Sequence, residues 1–454
     1  MSINKKRIIS FIQKPEKVFV VLALFFGIAM IFTLPLFEAP DEPVHFYRAY
    51  QVGEGKLMSE TVNNQTGGKV RPSTKDTAND GVMQTPERFI PFPSSALYSP
   101  IAYVPQAIGI DVGRVINSSI QGLVIFGRLF NLMAYIFFVL LAIKIAKKGK
   151  WVYAIAALFP VAIQQASSLS TDVMTTGLAF ITIAFIHSLF YQTQNLERKQ
   201  IVYLILLAIG LGLTKQTNLV ILLPLAFLPN RIFSSFKKRL FIVALIVLAG
   251  IIAMGSWYAA IKLSGYNTDY PTLLNLQGVD PPAQLRYLLT HPLDFIVTLF
   301  RTFIFEGFKS PATGDFYIIS MYGYFSSFTY KLPLSFIILG YTLLLIALIN
   351  KDGVSDKKVD RRVTYVQTVT FFVSVVAVAV ALYIVWAAVG APQIAGIQGR
   401  YFIPLIPLLI PLFQTIGKYV RIDFDTPYLL GSLVVVISSI NLTAMLLITH
   451  RWFY

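Results

Sequence analysis

Two adjacent carboxylates, Asp41 and Glu42, stand between Pro40 and Pro43 directly after the first long apolar run of the chain. Proline fixes φ and lacks an N–H donor, so the acids are held in a stiff segment near the end of that run. A carboxylate placed there can act as a general base that removes the proton of an attacking hydroxyl group. We predict Asp41 as this base, with Glu42 supporting it or sharing the role. The structural alternative is a cap on the next helix, because acids favour helix N-termini.

Three further side chains could complete such a site. His45 and Arg48 lie at helical spacing from Asp41 and share one face with it, which would place a cation beside the carboxylate. Tyr98, in ALYSPIAYVP, could pack on a sugar ring or a lipid, or could belong to an aromatic belt at the membrane interface.

Two basic residues suit the binding of a phosphate. Lys215, in GLGLTKQTNLVILLP, lies between two short apolar runs and either contacts a lipid phosphate or extends to the interface. Arg400, in AGIQGRYFIPLIP, is a planar and permanently charged donor. Gly396 and Gly399 permit close backbone approach around it, and Gln398 adds a polar group. Anion binding is our prediction for Arg400, and an interfacial anchor is the alternative.

Asp172 and Arg128 are weaker candidates. Asp172, in SSLSTDVMTT, either begins a helix or supplies a second acid to the site, and Arg128, in GRLFNLMAY, is structural or contacts a lipid phosphate. The chain has no cysteine and only four histidines, far apart, so cysteine-ligated metals are excluded and a histidine zinc site is not expected.

The composition places these residues in a membrane protein. Hydrophobic residues make up 56% of the 454 residues and charged residues 13%, with a mean hydropathy of +0.66, whereas a soluble domain carries roughly 25% charged residues. No removable signal peptide is predicted, because the first apolar run is long enough to span and no small-residue cleavage site follows it. We predict an all-α polytopic membrane protein with one integral domain, residues 1–454. Its spans, about eleven, lie near 18–37, 120–146, 151–169, 172–191, 200–214, 217–229, 239–262, 332–349, 364–388, 401–416 and 428–449.

The basic residues predict the orientation of these spans. More than half of the 38 Lys and Arg fall in the N-terminal segment and in short loops near 144–150, 198–199, 231–239, 351–362 and 418–421. Cytoplasmic loops carry such an excess, so we predict a cytoplasmic N-terminus and no binding of nucleic acid despite the net charge of +16. Two long loops, 38–118 and 263–331, then lie outside.

The segment 291–308 tests this orientation. It is nearly long enough to span, but Arg301 stands at its centre, and burying an arginine mid-bilayer costs at least ~2.5 kcal/mol. A helix lying at the outer interface is therefore predicted for it.

The first outer loop resembles that of the GT-C glycosyltransferase superfamily, in its D-E pair followed by Ala49, Gly55 and Leu57. More closely, PDEPVHFYRAYQVGEGKL, YSPIAYVPQAIGIDVGR, GRLFNLMAY, SSLSTD and GIQGRYFIPLIPLL resemble successive blocks of a bacterial family of predicted membrane proteins of unknown function. These blocks run from about residue 38 to 411. The chain departs from the family between 314 and 333, where it has no tryptophan, and this puts the identity of the acceptor in question.

The resemblance implies a GT-C-like fold in a bacterial plasma membrane and an extracytoplasmic active site. It implies transfer of a sugar from a polyprenyl-phosphate-linked donor to a glycan acceptor, such as a cell-surface polysaccharide or a lipid-linked glycan. Lys215 and Arg400 would neutralise the phosphate leaving group, and Asp172 would match a second acid of GT-C enzymes. The resemblance implies no soluble cofactor and allows a divalent metal. The alternatives are a transporter or flippase for lipid-linked saccharides, and a non-catalytic partner in their assembly.

Overall fold

A computed structural model describes residues 7, 9–71, 87–267, 276–305, 320–321, 324–325, 330–350, 361–417 and 427–453. These residues are mostly helical, which confirms the predicted all-α polytopic class. Seven helices in the described part of the chain are long and apolar enough to cross a membrane: Pro15–Thr33, Ile120–Ile145, Asp172–Phe190, Phe236–Leu263, Arg361–Trp386, Gly399–Ile416 and Leu429–His450. Two shorter apolar helices, Gln216–Phe227 and Leu334–Ile349, accompany them. The predicted number of about eleven spans stays a prediction.

The helices are numbered in the order in which they follow one another along the chain. The α-helices are α1 (Pro15–Thr33), α2 (Glu42–Gly53), α3 (Pro93–Ala96), α4 (Val104–Val115), α5 (Ile120–Ile145), α6 (Lys150–Ala157), α7 (Pro160–Ala166), α8 (Asp172–Phe190), α9 (Arg198–Thr214), α10 (Phe236–Leu263), α11 (Pro281–Thr290), α12 (Pro292–Phe300), α13 (Leu334–Ile349), α14 (Arg361–Trp386), α15 (Ile410–Ile416) and α16 (Pro427–Phe453). The 3₁₀ segments are Pro100–Tyr103, Gln216–Phe227, Asn230–Ile232 and Gly399–Leu409, and Arg301–Phe305 is a π-helical turn.

Prolines explain why three predicted spans are not continuous α-helices. The run predicted at 151–169 breaks between α6 and α7, directly before Pro160. Pro224 lies inside the 3₁₀ segment after α9, and Pro404 and Pro407 lie inside the 3₁₀ segment before α15. Proline cannot donate the backbone hydrogen bond of an α-helix and clashes with the preceding turn, so each of these runs changes its helical form.

The two long loops carry structure of their own. The predicted helical segment 291–308 begins as α12 and continues into the π-helical turn. A small antiparallel sheet in the first loop was not predicted; its strands are β1 (Glu60–Val62), β2 (Gln65–Val70) and β3 (Arg88–Pro91). A second strand pair is formed by β4 (Tyr324–Phe325) and β5 (Tyr330–Lys331). The backbone N–H of Asn267 donates to the Thr66 hydroxyl at 2.9 Å, which ties the second loop to the sheet of the first.

Helix α5 packs against α1, α4 and α8, and its buried Leu132, Tyr135 and Val139 belong to the main hydrophobic core. By contrast, α10 exposes large apolar side chains such as Phe241 and Ile252. Such a surface suits contact with lipid chains. We name as the loop end the end of the bundle at which α1 and α9 terminate and α5 and α8 begin.

Candidate functional site

Asp41 directly precedes helix α2 but does not cap it with its side chain. Its backbone is left-handed, with φ of 59°, and its side chain accepts no hydrogen bond from the first turn of the helix. The residue is exposed at the loop end. The capping alternative for Asp41 therefore has no support in this geometry, and its carboxylate is accessible to a ligand.

Glu42, in contrast, is fully buried in an ion pair with Arg128. Arg128 donates from Nε to Glu42 Oε1 at 2.8 Å and from Nη2 to Oε2 at 2.7 Å, and neither side chain is exposed. The backbone N–H of Leu169 donates to the same Oε1 at 3.3 Å. Both carboxylate oxygens are thus occupied, which leaves Asp41 as the acid of the pair that a substrate can reach.

Arg128 also holds the end of helix α1. Its Nη1 donates to the carbonyls of Ile31 and Leu34 at 3.0 and 2.8 Å, and its Nη2 donates to that of Pro35 at 2.9 Å. The last carbonyls of a helix lack partners within the helix, and a buried cation satisfies them. These contacts support the structural alternative for Arg128.

Two amides that the sequence analysis did not single out hold the turn before Asp172. Asn131 Nδ2 donates to the carbonyls of Ser168 and Ser170 at 2.7 and 3.0 Å. Gln106 Nε2 also donates to the Ser170 carbonyl, at 3.0 Å. A polar residue inside an apolar helix is a signal for such a role, and Asn131 lies in the quoted block GRLFNLMAY. The turn is fixed in this way, and Asp172 stands at the start of α8.

Asp172 meets the predicted phosphate-binding cations. Arg400 Nε lies 3.5 Å from Asp172 Oδ2. Arg400 Nε and Nη1 are nevertheless buried without a hydrogen-bond partner among the described residues. Lys215 Nζ lies 3.9 Å from the centre of the Tyr401 ring, and the Arg400 guanidinium lies 5.7 Å from the same ring. Two cations, one acid and one aromatic ring therefore share one place, although they come from distant segments.

Burial changes the charge balance of Lys215. The lysine lies in the turn between α9 and the following 3₁₀ segment. Burial lowers the pKa of Lys215 from its ordinary 10.5 to about 8; Asp172 opposes this change and Arg400 adds to it. A partly desolvated ammonium beside a second cation favours an anionic ligand, because such a ligand would neutralise both charges.

His45 joins Asp41 to this group. Its Nδ1 lies 2.9 Å from the Tyr103 hydroxyl, and the imidazole interacts electrostatically with Asp41, Asp172 and Arg400. Burial lowers the pKa of His45, and the largest opposing influence is the charge of Asp41. Burial therefore favours the neutral form of the imidazole. The structure brings His45 to the predicted site as a hydrogen-bonding group and not as a cation.

The remaining predicted residues are divided. Arg48 is fully buried and donates to Gln51 Oε1 at 2.5 Å and to the Leu57 carbonyl at 2.7 Å, so it stabilises the chain that follows α2. Tyr98 is 40% exposed, with its ring centre 6.4 Å from that of His45. Gln398 directly precedes the Gly399–Leu409 segment, and its Oε1 is buried without a hydrogen-bond partner among the described residues. Tyr98 and Gln398 thus border the cluster, and Arg48, which lies within α2, has a structural role.

The donor set does not fit a protein-held metal ion. Within the described ranges, no three residues of the types His, Cys, Asp and Glu lie close enough together to bind one. Of the acids at this end of the bundle, Asp172 pairs with Arg400 and Glu42 with Arg128.

The fold and these residues define a polytopic helical membrane protein with a charged cluster at the loop end. Residues 24–86 and 58–409 match the model of the family described as predicted membrane protein DUF2142, so the protein belongs to this family of unknown function. The predicted membership of such a family is confirmed. No curated protein and no solved structure gives a match. The resemblance to GT-C enzymes remains a prediction.

Proposed function

We propose that the protein is a GT-C-like glycosyltransferase of a bacterial plasma membrane. It moves a sugar from a polyprenyl-phosphate donor to an acceptor on the extracytoplasmic side, such as a cell-surface polysaccharide or a lipid-linked glycan. The observation that carries the proposal is the convergence of Asp41, His45, Asp172, Lys215 and Arg400 at the loop end. An accessible acid and two desolvated cations in one cluster are the parts that such a transfer requires.

The cations supply the phosphate site. Arg400 retains two buried nitrogen atoms, Nε and Nη1, without hydrogen-bond partners among the described residues, and the Lys215 ammonium lies over the Tyr401 ring. Negative charge develops on the phosphate as the bond between the sugar and the phosphate breaks. Preorganised cations in a site with little water stabilise that charge strongly. Lys215 and Arg400 therefore bind the donor and assist departure of the polyprenyl phosphate.

Asp41 supplies the base. An acceptor hydroxyl oxygen forms a bond to the anomeric carbon, the bond from that carbon to the phosphate oxygen breaks, and the hydroxyl proton moves to the Asp41 carboxylate. His45 is neutral and hydrogen-bonds Tyr103, so it can orient the acceptor without competing for the phosphate. The predicted orientation supports an outer site, where a lipid-linked donor is available.

Binding of farnesyl phosphate, a short soluble analogue of the carrier, tests the phosphate site. We expect Lys215→Ala and Arg400→Ala each to weaken its affinity for the purified protein in nanodiscs by about tenfold or more, because each removes a charge-assisted hydrogen bond. Arg286→Ala is the matched control, since Arg286 is an exposed cation of the second long loop. If all three variants bind farnesyl phosphate with the same affinity, Lys215 and Arg400 are interfacial anchors and not a phosphate site.

Release of the carrier separates an enzyme from a transporter. Proteoliposomes that contain a radiolabelled polyprenyl-phosphate sugar and a cell-envelope acceptor fraction should release free polyprenyl phosphate and label the acceptor. Movement of the intact labelled lipid across the bilayer without carrier release would instead identify a transporter or flippase. If the carrier is not released and the labelled lipid does not move, the result would favour a non-catalytic assembly partner.

A further inference from the structure

A small cavity is lined by both members of the ion pair of Asp172 and Arg400, with room for about one water molecule. Its polar lining comes from Gln165 on α7, Asp172 and Thr176 on α8, and Arg400. Tyr135 on α5 closes one wall, and its hydroxyl is already bonded to the carbonyl of another residue, at 3.0 Å. The apolar side chains of Ala162, Val173 and Ile403 complete the lining. The cavity is therefore small, of mixed polar and apolar lining, and continuous with the charged cluster through Arg400.

Gln165 is the unusual member of this lining. Its side chain is 4% exposed, and neither Oε1 nor Nε2 has a hydrogen-bond partner among the described residues. Buried polar groups are almost always hydrogen-bonded, and a buried polar group without a hydrogen bond is energetically unfavourable. An amide that lines a cavity without partners indicates that a polar group completes its hydrogen bonds there.

The chemistry of the lining selects the kind of group. A phosphate oxygen only accepts hydrogen bonds, so it would leave Gln165 Oε1 without a partner and would face the carboxylate of Asp172. A hydroxyl group both donates and accepts, and it has the size of a water molecule. It can donate to Gln165 Oε1 or to Asp172 while it accepts from Gln165 Nε2 or Arg400.

We propose that this cavity binds one hydroxyl group of the sugar carried by the donor lipid, with the sugar ring outside it. The inference rests on the proposed function and adds to it a site that selects among sugars. Arg400 lines the cavity and also belongs to the phosphate cluster. A sugar is joined directly to the phosphate of its lipid carrier, so a hydroxyl pocket should adjoin the phosphate site, as this cavity does.

The test compares farnesyl phosphate with farnesyl phosphate that carries a hexose of gluco, galacto or manno configuration. Gln165→Met keeps the side-chain volume and removes both polar atoms. We expect this variant to bind the preferred hexose lipid about tenfold more weakly than the wild type, with affinity for farnesyl phosphate unchanged. Among mono-deoxy analogues of that hexose, the one that lacks the bound hydroxyl should bind the wild type and the variant equally.

Gln164→Met is the matched control. Gln164 precedes Gln165 in α7 and is equally buried, but it does not line the cavity. Thr176→Val, which removes a hydroxyl from the same cavity, provides a second variant should Gln165→Met unfold at lower temperature. It should weaken hexose binding without affecting farnesyl phosphate.

The outcomes separate this inference from the proposed function. Equal weakening of both probes by Gln165→Met would place Gln165 in the phosphate site or in the fold alone, and would overturn the hydroxyl pocket. No change for either probe would identify a water-filled cavity, with the same consequence. Failure of the wild type to bind any of these lipids would overturn the proposed function itself, and this inference with it.

Discussion

Asp41 and Glu42 are adjacent in the chain, and the structure predicts opposite consequences for neutralising each of them. Asp41→Asn and Glu42→Gln each replace a carboxylate by an amide of nearly equal size. The first change removes an exposed acid, and the second removes one partner of a fully buried ion pair. Activity and stability should therefore respond separately to the two substitutions.

Glu42→Gln should destabilise the protein. It leaves the Arg128 guanidinium buried at 0% exposure without its counter-charge, and an amide can accept only one of the two hydrogen bonds that Arg128 now donates to Glu42. Breaking a buried pair by removing one partner typically costs about 3–5 kcal/mol. We expect a loss of this size in the free energy of unfolding. Any loss of activity should follow from the loss of folded protein.

Asp41→Asn should leave the fold intact. Asparagine tolerates the left-handed conformation that Asp41 adopts, and no side-chain cap is lost. The change in stability should stay below about 1 kcal/mol. Because an amide cannot take up a proton at neutral pH, sugar transfer should fall by about 10²–10⁴-fold.

Both substitutions are measured on detergent-purified protein, by denaturant unfolding and by label transfer from a polyprenyl-phosphate sugar. Near-normal transfer by Asp41→Asn would remove Asp41 as the base. A stable Glu42→Gln protein that has lost transfer would show that the buried pair opens during the reaction and that Glu42 takes part in it. Either result would refute the division of roles that the structure indicates.

Three further predictions concern the cluster and the orientation of the chain. Since the pKa of Lys215 is lowered to about 8, its charge is present below that pH and lost above it, so affinity for farnesyl phosphate should fall about tenfold from about pH 7 to 9. Lys215→Arg should make the affinity independent of pH over this range, and a flat wild-type profile would contradict the lowered pKa. Asn131→Leu removes a hydrogen-bond donor from the carbonyls of Ser168 and Ser170, although Gln106 still donates to that of Ser170. The change should cost about 1–3 kcal/mol of unfolding free energy and weaken donor binding. If neither the unfolding free energy nor donor binding changes, Asn131 is not a positioning residue. In intact spheroplasts an impermeant maleimide should label Lys69→Cys but not Thr193→Cys, against a wild type without thiols, and the reverse pattern would invert the predicted orientation.

The sequence could not predict that Asp41 is exposed while its neighbour Glu42 is buried in an ion pair. Glu42 and Arg128 are 86 positions apart, and no local spacing relates them. The same is true of Gln106, which reaches the carbonyl of Ser170 across 64 positions. Hydropathy marks where a chain enters the membrane, but it does not indicate which helix ends will be neighbours. The sheet of the first loop also escaped prediction, because its strands are short and polar.

Composition and hydropathy alone determined that the bilayer is the solvent of this chain and that helices must span it, because unpaired backbone groups are too costly in lipid. The spacing of apolar runs also brought Asp41, Asp172, Lys215 and Arg400 to predicted span ends of the same side. Only the tertiary structure decided that Asp172 faces Arg400, that Lys215 lies over Tyr401 and that Asp172 and Arg400 line a cavity. The reason is physical. Lipid chains are as apolar as a protein core, so the sequence carries little contrast between helix faces that pack on protein and faces that contact lipid.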